Sequence, residues 1–290
     1  MSAQAAADSG NAGVTQFHGA PMLSRPFYGW ALHDGFIVTK RHLLQIPRVP
    51  ELLFFSLVQP VIFVLLFAYV FGGAIPVPGG GSYRAYLIPG VFGQTVAFAA
   101  AGVTVGLSED MHKGIVDRFR SLPMAASGVL IGRSLADLIR TVLVLIVLSL
   151  TGLLVGWSIT SSVPEALAGY GILLLFGFSM IWVGAWVGLH MPSPEVANTA
   201  GLAWLFPLTF LSNAFVPIEG MPGWLQVVAE WNPISAVVLS ARKLFGNPTG
   251  LPGDSFPMTH PEFYAVASTV VLLAIFIPLS VRKYRRTTSK

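Results

Sequence analysis

Divided at its charged and histidine residues, the chain contains six long apolar windows: 52–83, 85–108, 141–164, 166–189, 196–218 and 263–281. A bilayer core is roughly 30 Å thick, so a spanning helix needs about 20 mostly apolar residues. Each window supplies them. Pro76, Pro78 and the run Gly79-Gly80-Gly81 trim the first window from its right, because Gly and Pro clusters mark turns. The pattern predicts helices over 52–73, 85–107, 136–157, 166–189, 197–218 and 263–282. The fold class expected is an all-α integral membrane protein with six transmembrane helices. The stretch 126–131 is too short to cross. Pro60, Pro207 and Pro278 fall inside spans, where a proline is expected to bend the helix.

Outside the windows the chain is polar. Residues 1–26 have no continuous apolar run and no signal-peptide pattern, and are expected to form a disordered cytoplasmic tail. Residues 27–286 are expected to form one membrane domain, and 287–290 a short cytoplasmic tail. Ahead of the first span, Trp30, Leu32, Phe36, Ile37, Leu43 and Leu44 share one broad helical arc, interrupted by His33 and Lys40. Lysine can snorkel, so an interfacial helix is expected there, ended by Pro47 and Pro50.

Composition strengthens this picture. The chain is 54% hydrophobic and 10% charged, with a mean hydropathy of +0.70. A soluble domain carries about 25% charged residues, so a soluble enzyme, a disordered chain and a coiled coil are excluded. With no cysteine, disulfides, thiolate metal sites and a cysteine nucleophile are excluded as well. The net charge of +4 is unevenly placed. Arg25, Lys40, Arg41, Arg48, Lys113, Arg118, Arg120, Arg133, Arg140, Arg282, Lys283, Arg285, Arg286 and Lys290 fall on one face of the six-span topology, and Arg84, Arg242 and Lys243 on the other. The positive-inside rule then puts both termini in the cytoplasm. Trp182 and Trp186, near the inner end of the fourth span, and Trp157, Trp224 and Trp231, near the outer surface, suit either interfacial anchoring or packing between helices.

Several chemistries are missing. No Lys follows a Gly anywhere, so a phosphate-binding G-x-x-x-x-G-K-[ST] loop is impossible and the chain is not expected to be an enzyme. No two histidines stand at metal-ligand spacing. The windows hold no ionisable residue between their ends, which argues against a proton relay or a voltage sensor. A sodium-coupled carrier remains an alternative, although no internal repeat is visible. A non-transporting membrane scaffold is a second.

The most informative segment follows the second window: Glu109-Asp110-Met111-His112-Lys113-Gly114-Ile115-Val116-Asp117-Arg118-Phe119-Arg120-Ser121-Leu122-Pro123. Ser108 reads as the N-cap of a short cytoplasmic helix with acids in its first turn, stopped at Pro123. The segment resembles the cytoplasmic loop of ABC-2-type permeases, E-x-x-x-x-G-x-x-[DE]-R-[LF]-x-x-x-P, with Glu109, Gly114, Asp117, Arg118, Phe119 and Pro123 in those places. A second match follows the fifth window. It comprises Phe210-Leu211-Ser212-Asn213-Ala214-Phe215-Val216-Pro217, then Met221-Pro222-Gly223-Trp224-Leu225-Gln226, then Trp231-Asn232-Pro233-Ile234-Ser235. It is similar to the daunorubicin-resistance branch, which exports drugs and lipids.

The resemblance implies a transport subunit moving amphipathic drugs or lipids out of a bacterial cell through its inner membrane. It implies no cofactor in this chain, with ATP and Mg bound by two copies of a separate ATPase subunit. A second permease subunit, as homodimer or heterodimer, would complete the pathway. Glu109, Asp110, Lys113, Gly114, Asp117, Arg118, Phe119, Arg120 and Pro123 would form the coupling loop that docks on the ATPase. Residues 220–245 would form short outer helices that enter the membrane and return. Among the sparse polar residues of the spans, Gln59, Gln94, Thr95 and Asn213 are the candidates for the substrate path, with interhelical hydrogen bonding as the alternative role.

Overall fold

The structure is a computed structural model that describes residue 39 and residues 50–72, 74–113, 126–251 and 253–288. All regular structure among the described residues is helical. The long helices are α1 (Pro50–Val70), α2 (Tyr83–His112), α3 (Ala126–Val155), α4 (Val163–Gly188), α5 (Pro194–Phe210) and α9 (Pro261–Thr288). Between α5 and α9 come a 3-10 turn (Ile218–Gly220) and three short helices, α6 (Gly223–Glu230), α7 (Pro233–Leu244) and α8 (Phe256–Thr259). Four segments are long and apolar enough to cross a bilayer: Tyr83–His112, Gly128–Val155, Val163–Gly188 and Pro261–Arg286. Leu57–Val70 is a shorter apolar helix.

Local chemistry sets the helix starts. The turn ahead of α2 uses Gly79, Gly80 and Gly81, all at positive φ, where any side chain would be strained. Ser162 and Glu165 form a capping box on α4, with Glu165 Oε2 2.9 Å from the Ser162 N–H. Ser193 caps α5 by accepting from the Val196 N–H, and Pro194 follows at the first helical position.

The helices gather around α2 and α4. α2 packs on α4, α5 and α7, and α4 packs on α9, α7 and α3. The α2–α4 seam is set by small residues. A Cβ on Gly184 would collide with the backbone of Ala100, and one on Gly188 with that of Thr104. Both pairs lie one turn apart, so the two backbones touch over two turns, the close approach that small residues permit between membrane helices. Thr104 Oγ1 bridges the seam, 3.0 Å from Gly184 O and 2.8 Å from Ala100 O.

A second set of contacts holds the far end of the bundle together. α5 stops at Phe210 and the chain runs irregularly to Pro217. α7 satisfies that stretch with three side chains. Asn232 caps α7 by accepting from the Ile234 N–H, and its Nδ2 donates to Leu208 O and Leu211 O at 2.6 and 2.8 Å. Ser235 Oγ accepts from the Asn213 N–H. Arg242, 0% exposed, donates from Nε to Tyr86 O at 2.8 Å and from Nη2 to Asn213 O and Ala214 O at 2.9 and 3.1 Å. Its guanidinium lies 3.4 Å from the centre of the Tyr86 ring. Tyr86 and Tyr83 add hydroxyl bonds to Asn213 O and Phe215 O. Next to this clamp, Trp157 Nε1 donates to Asn247 Oδ1 at 2.7 Å, and Ser161 Oγ to Leu244 O at 2.6 Å. The connector after α3 thereby satisfies carbonyls at the C-terminal end of α7.

Several expectations are revised. α2 runs unbroken to His112 and Ser108 is buried inside it, so Ser108 does not cap a separate helix. α3 begins at Ala126, well ahead of the expected 136, and carries Arg133, Asp137 and Arg140 within it. A helix of this chain therefore does hold ionisable residues. Arg242, expected on the outer face of the topology, has its side chain in the core, whereas Lys243 beside it is 57% exposed and pairs with Glu262 at 2.9 Å. Trp157 and Trp182 are buried packing residues, while Trp224 and Trp231 are exposed. The expected interfacial helix before the first span lies outside the described residues, apart from Thr39, which donates to Gly132 O at 2.9 Å.

Two substitutions test these contacts. Gly184→Leu forces a side chain into the Ala100 backbone and should destabilise the protein by roughly 1–3 kcal/mol or more. Gly171→Ala, where the space is open, should leave stability unchanged or raised. Thermal unfolding of the purified protein followed by tryptophan fluorescence compares them, and equal midpoints would refute the seam. Arg242→Met leaves three buried carbonyls short of a donor and should cost about 3 kcal/mol, with Arg242→Lys intermediate. The same unfolding assay reads both.

Candidate functional site

A cavity of about 280 Å³ lies between α1, α2, α3 and α5. Its walls are apolar, with Phe63 from α1, Phe98 and Val103 from α2, Val144 from α3 and Leu202 from α5. Gln59, Gln94 and Thr95 line it, so three of the four residues expected on a substrate path share one space. Gln94 is buried and Gln59 exposed, which places Gln59 at the mouth. Gly102, with nothing within 4 Å of a Cβ built on it, also lines the cavity.

Asn213 is elsewhere. It sits in the stretch after α5, and its carbonyl is held by Tyr86 and Arg242. The structure gives it a place in the clamp and none in this cavity.

One end of the cavity is charged. Asp137 and Arg140 of α3 line it alongside Thr141. Asp137 Oδ2 stands 3.8 Å from Arg133 Nε, and Arg133 Nη1 makes a close ion pair with Asp110 Oδ2 on α2. Gly106, one turn before Asp110, leaves the room that the Arg133 guanidinium occupies. Arg133 and Asp137 are four apart and so share a helix face. The result is a row of charges, Asp110–Arg133–Asp137, from the last turn of α2 to the cavity.

The expected coupling residues divide into two groups. Glu109 and Lys113 pair at 2.8 Å across one helical turn on the surface, their side chains 43% and 63% exposed. Asp110 points the other way, into the bundle. Gly114, Asp117, Arg118, Phe119, Arg120 and Pro123 lie outside the described residues.

Arg133 and Arg242 entered the expectations only as charges on the two faces of the topology, and Asp137 not at all. The 4-and-3 spacing of Arg133, Asp137 and Arg140 was a readable signal for charges gathered on one side of a helix. Ser235 and Arg242, two helical turns apart in an apolar segment, were the corresponding signal on α7.

Comparison with known proteins is consistent with this architecture. The ABC-2 type transporter family matches residues 34–245. The chain is 32% identical over 249 residues to the daunorubicin resistance ABC transporter permease protein DrrB1 of Streptomyces coeruleorubidus, covering 84% of this chain and 83% of that one. It is 23% identical to the probable doxorubicin resistance ABC transporter permease protein DrrC of Mycobacterium tuberculosis, over 64% of this chain and 67% of the relative. It is 27% identical to the putative transport permease ycf38 of Pyropia yezoensis, over 71% and 72%. With its long apolar helices, the chain belongs to the ABC-2 type transporter family and is a membrane permease subunit of an ABC exporter.

Proposed function

We propose that this permease moves amphipathic drugs or lipids across the bacterial inner membrane, and that the cavity lined by Gln59, Gln94 and Thr95 is part of their path. The observation that carries this reading is the composition of that cavity: apolar walls with a few amides and hydroxyls, and the charges of Asp137 and Arg140 confined to one end. Such a lining suits a largely hydrophobic solute with a small polar part. Drug-resistance permeases among the relatives support the same class.

In this reading α1 to α5 and α9 are six spans. α5, at 17 residues, is at the lower end of what can cross, and the 3-10 turn, α6 and α7 are the outer segments that dip into the membrane and return. Non-helical backbone at membrane depth is tolerated only where protein satisfies it, and the clamp by Asn232, Ser235 and Arg242 meets that condition. Both termini and the 109–123 loop face the cytoplasm. Two ATPase subunits dock on that loop of this chain and of a second permease subunit. ATP turnover there shifts the permease between states that hold and release the solute. Hydrolysis belongs to the partner, because no Gly-Lys pair exists here to build a phosphate loop.

The topology is testable by cysteine accessibility, which is clean in a chain without native cysteine. Cysteines at 79 and 250 should be labelled from outside and cysteines at 109 and 113 from the cytoplasm. Labelling of position 250 from the cytoplasm alone would refute six spans. Co-expression with the ATPase separates docking from transport. Glu109→Lys and Gly114→Trp should weaken co-purification of the ATPase, since breaking a buried interfacial charge pair costs on the order of 2–5 kcal/mol. Gly102→Trp, which fills the cavity, should leave co-purification intact and lower export by about tenfold or more. Wild-type export by Gly102→Trp would remove the cavity from the path.

A further inference from the structure

We infer that Arg133 is a coupling residue that exchanges partners. It holds Asp110 of α2 when the end of α2 and the start of α3 lie together, and Asp137 of its own helix when they part. The exchange involves described residues alone. Its role in transport rests on the ATPase docking at the 109–123 loop.

The guanidinium of Arg133 is engaged on three sides. Nη2 lies in the notch of α2 at Gly106, where an added Cβ would collide with it. Nη1 makes the close ion pair with Asp110 Oδ2, one turn further along α2. Nε is left toward its own helix, 3.8 Å from Asp137 Oδ2, roughly 1 Å beyond an ordinary hydrogen bond. Nε and Oδ2 are both buried, and neither has a hydrogen-bond partner among the described residues. A buried donor and a buried acceptor left unbonded are costly. Here each is the other's nearest remedy, and the hold of α2 on the guanidinium keeps them apart.

The two carboxylates respond differently to helix movement. Arg133 and Asp137 are four residues apart on one helix and stay neighbours wherever α3 goes. Asp110 is on another helix and is lost once the helix ends separate. A buried arginine stripped of its partner is strongly destabilising. With Asp137 in reach the guanidinium keeps a carboxylate throughout, so the separated packing becomes accessible. Asp110, in the last turn of α2 and with its side chain 27% exposed, meets water as the gap opens. Both packings then have their charges met, as a two-state element requires. Glu109 and, from α9, Tyr284 add to the field at Arg133, and Arg140 acts on Asp137. Glu109 is committed to Lys113 on the surface at 2.8 Å.

Position ties the exchange to both ends of the permease. Residues 113–125 join α2 to α3, so a partner docked there acts on the separation of the two helix ends. Glu109 and Asp110 are consecutive, one exposed to that partner and the other bonded to Arg133. Asp137 lines the cavity, so the exchange changes the charge presented there.

The test is pulsed electron paramagnetic resonance on the purified full-length chain in lipid nanodiscs. Spin labels sit on cysteines at 112 and 135, exposed positions of α2 and α3, in a chain with no native cysteine. Asp110→Asn and Gly106→Val should each raise the ratio of long to short distances about fivefold or more. Asp110→Glu should leave it near the wild-type value. Adding Asp137→Asn to either variant should bring the ratio back toward wild type, because the separated packing loses its partner. In an Arg133→Gln background Asp110→Asn should have no further effect. Charges that serve only to hold the helices together would instead loosen further with each removal. An unchanged ratio in Asp110→Asn and Gly106→Val, or a further rise on adding Asp137→Asn, would overturn the exchange. Co-expressed with the ATPase, Gly106→Val, which is outside the cavity lining, should co-purify normally and lower export about fivefold or more. Wild-type export by that variant would overturn the role in coupling. Retention of the ATPase by Glu109→Lys and Gly114→Trp would overturn the docking reading alone, since the distances are measured without the partner.

Discussion

Hydrocarbon offers nothing to a peptide N–H or C=O, and the architecture follows from meeting that demand inside the protein. Regular helices meet it by themselves. The interruption after Phe210 cannot, and α7 is built around it. Asn232 turns two carbonyls at the end of α5 inward, Ser235 takes one N–H, and Arg242 reaches three carbonyls from two elements. Arginine suits this task because one planar group serves several acceptors at once. Its charge, without an ion-pair partner among the described residues, is spread over carbonyl dipoles and the face of Tyr86. Removing it would strand polar backbone in the core.

The same demand explains where room remains. α2 and α4 touch through glycine, alanine and threonine, which leaves no space along their seam. The space appears on the other side of α2, where Phe63, Phe98 and Val144 line it and Gly102 contributes no side chain. Close packing on one flank and a cavity on the other come from the residues of one helix. Val96, Ala100 and Thr104 face α4, whereas Gln94, Phe98 and Gly102 face the cavity.

Much of this was legible in the sequence. The apolar windows located the helices, because length and hydropathy are the properties a bilayer selects. Gln59, Gln94 and Thr95 stood out because polar residues are rare in such windows, and the fold brings them together. Windows bounded by charges, however, end a helix at its first ionisable residue. The expected start at 136 passed Arg140 and Asp137 but left Arg133 in the preceding loop, whereas Arg133 pairs with Asp110 from within α3, which begins at Ala126. The burial of Arg242 was not legible, because its partners are backbone carbonyls from distant segments, which carry no sequence signature. Asn213 stood out for its polar side chain, yet the fold uses its backbone.

α2 continues without a break from Tyr83 to His112, 30 residues or about 45 Å. Its first turn holds the clamp, its middle lines the cavity, and its last turn carries Glu109 and Asp110. Pro89 removes one bond of its hydrogen-bond ladder near the Tyr83–Tyr86 end, and from Gly90 to His112 the helix has no proline to offer a joint at which a push could be absorbed. Locked to α4 backbone to backbone, it also cannot slide alone. A force applied at residues 109–113 therefore reaches the level of Pro89 as tilt or translation of the α2–α4 pair as a whole. The mechanical unit of this permease is that pair, and its pivots are the places where the neighbouring helices contact it less closely.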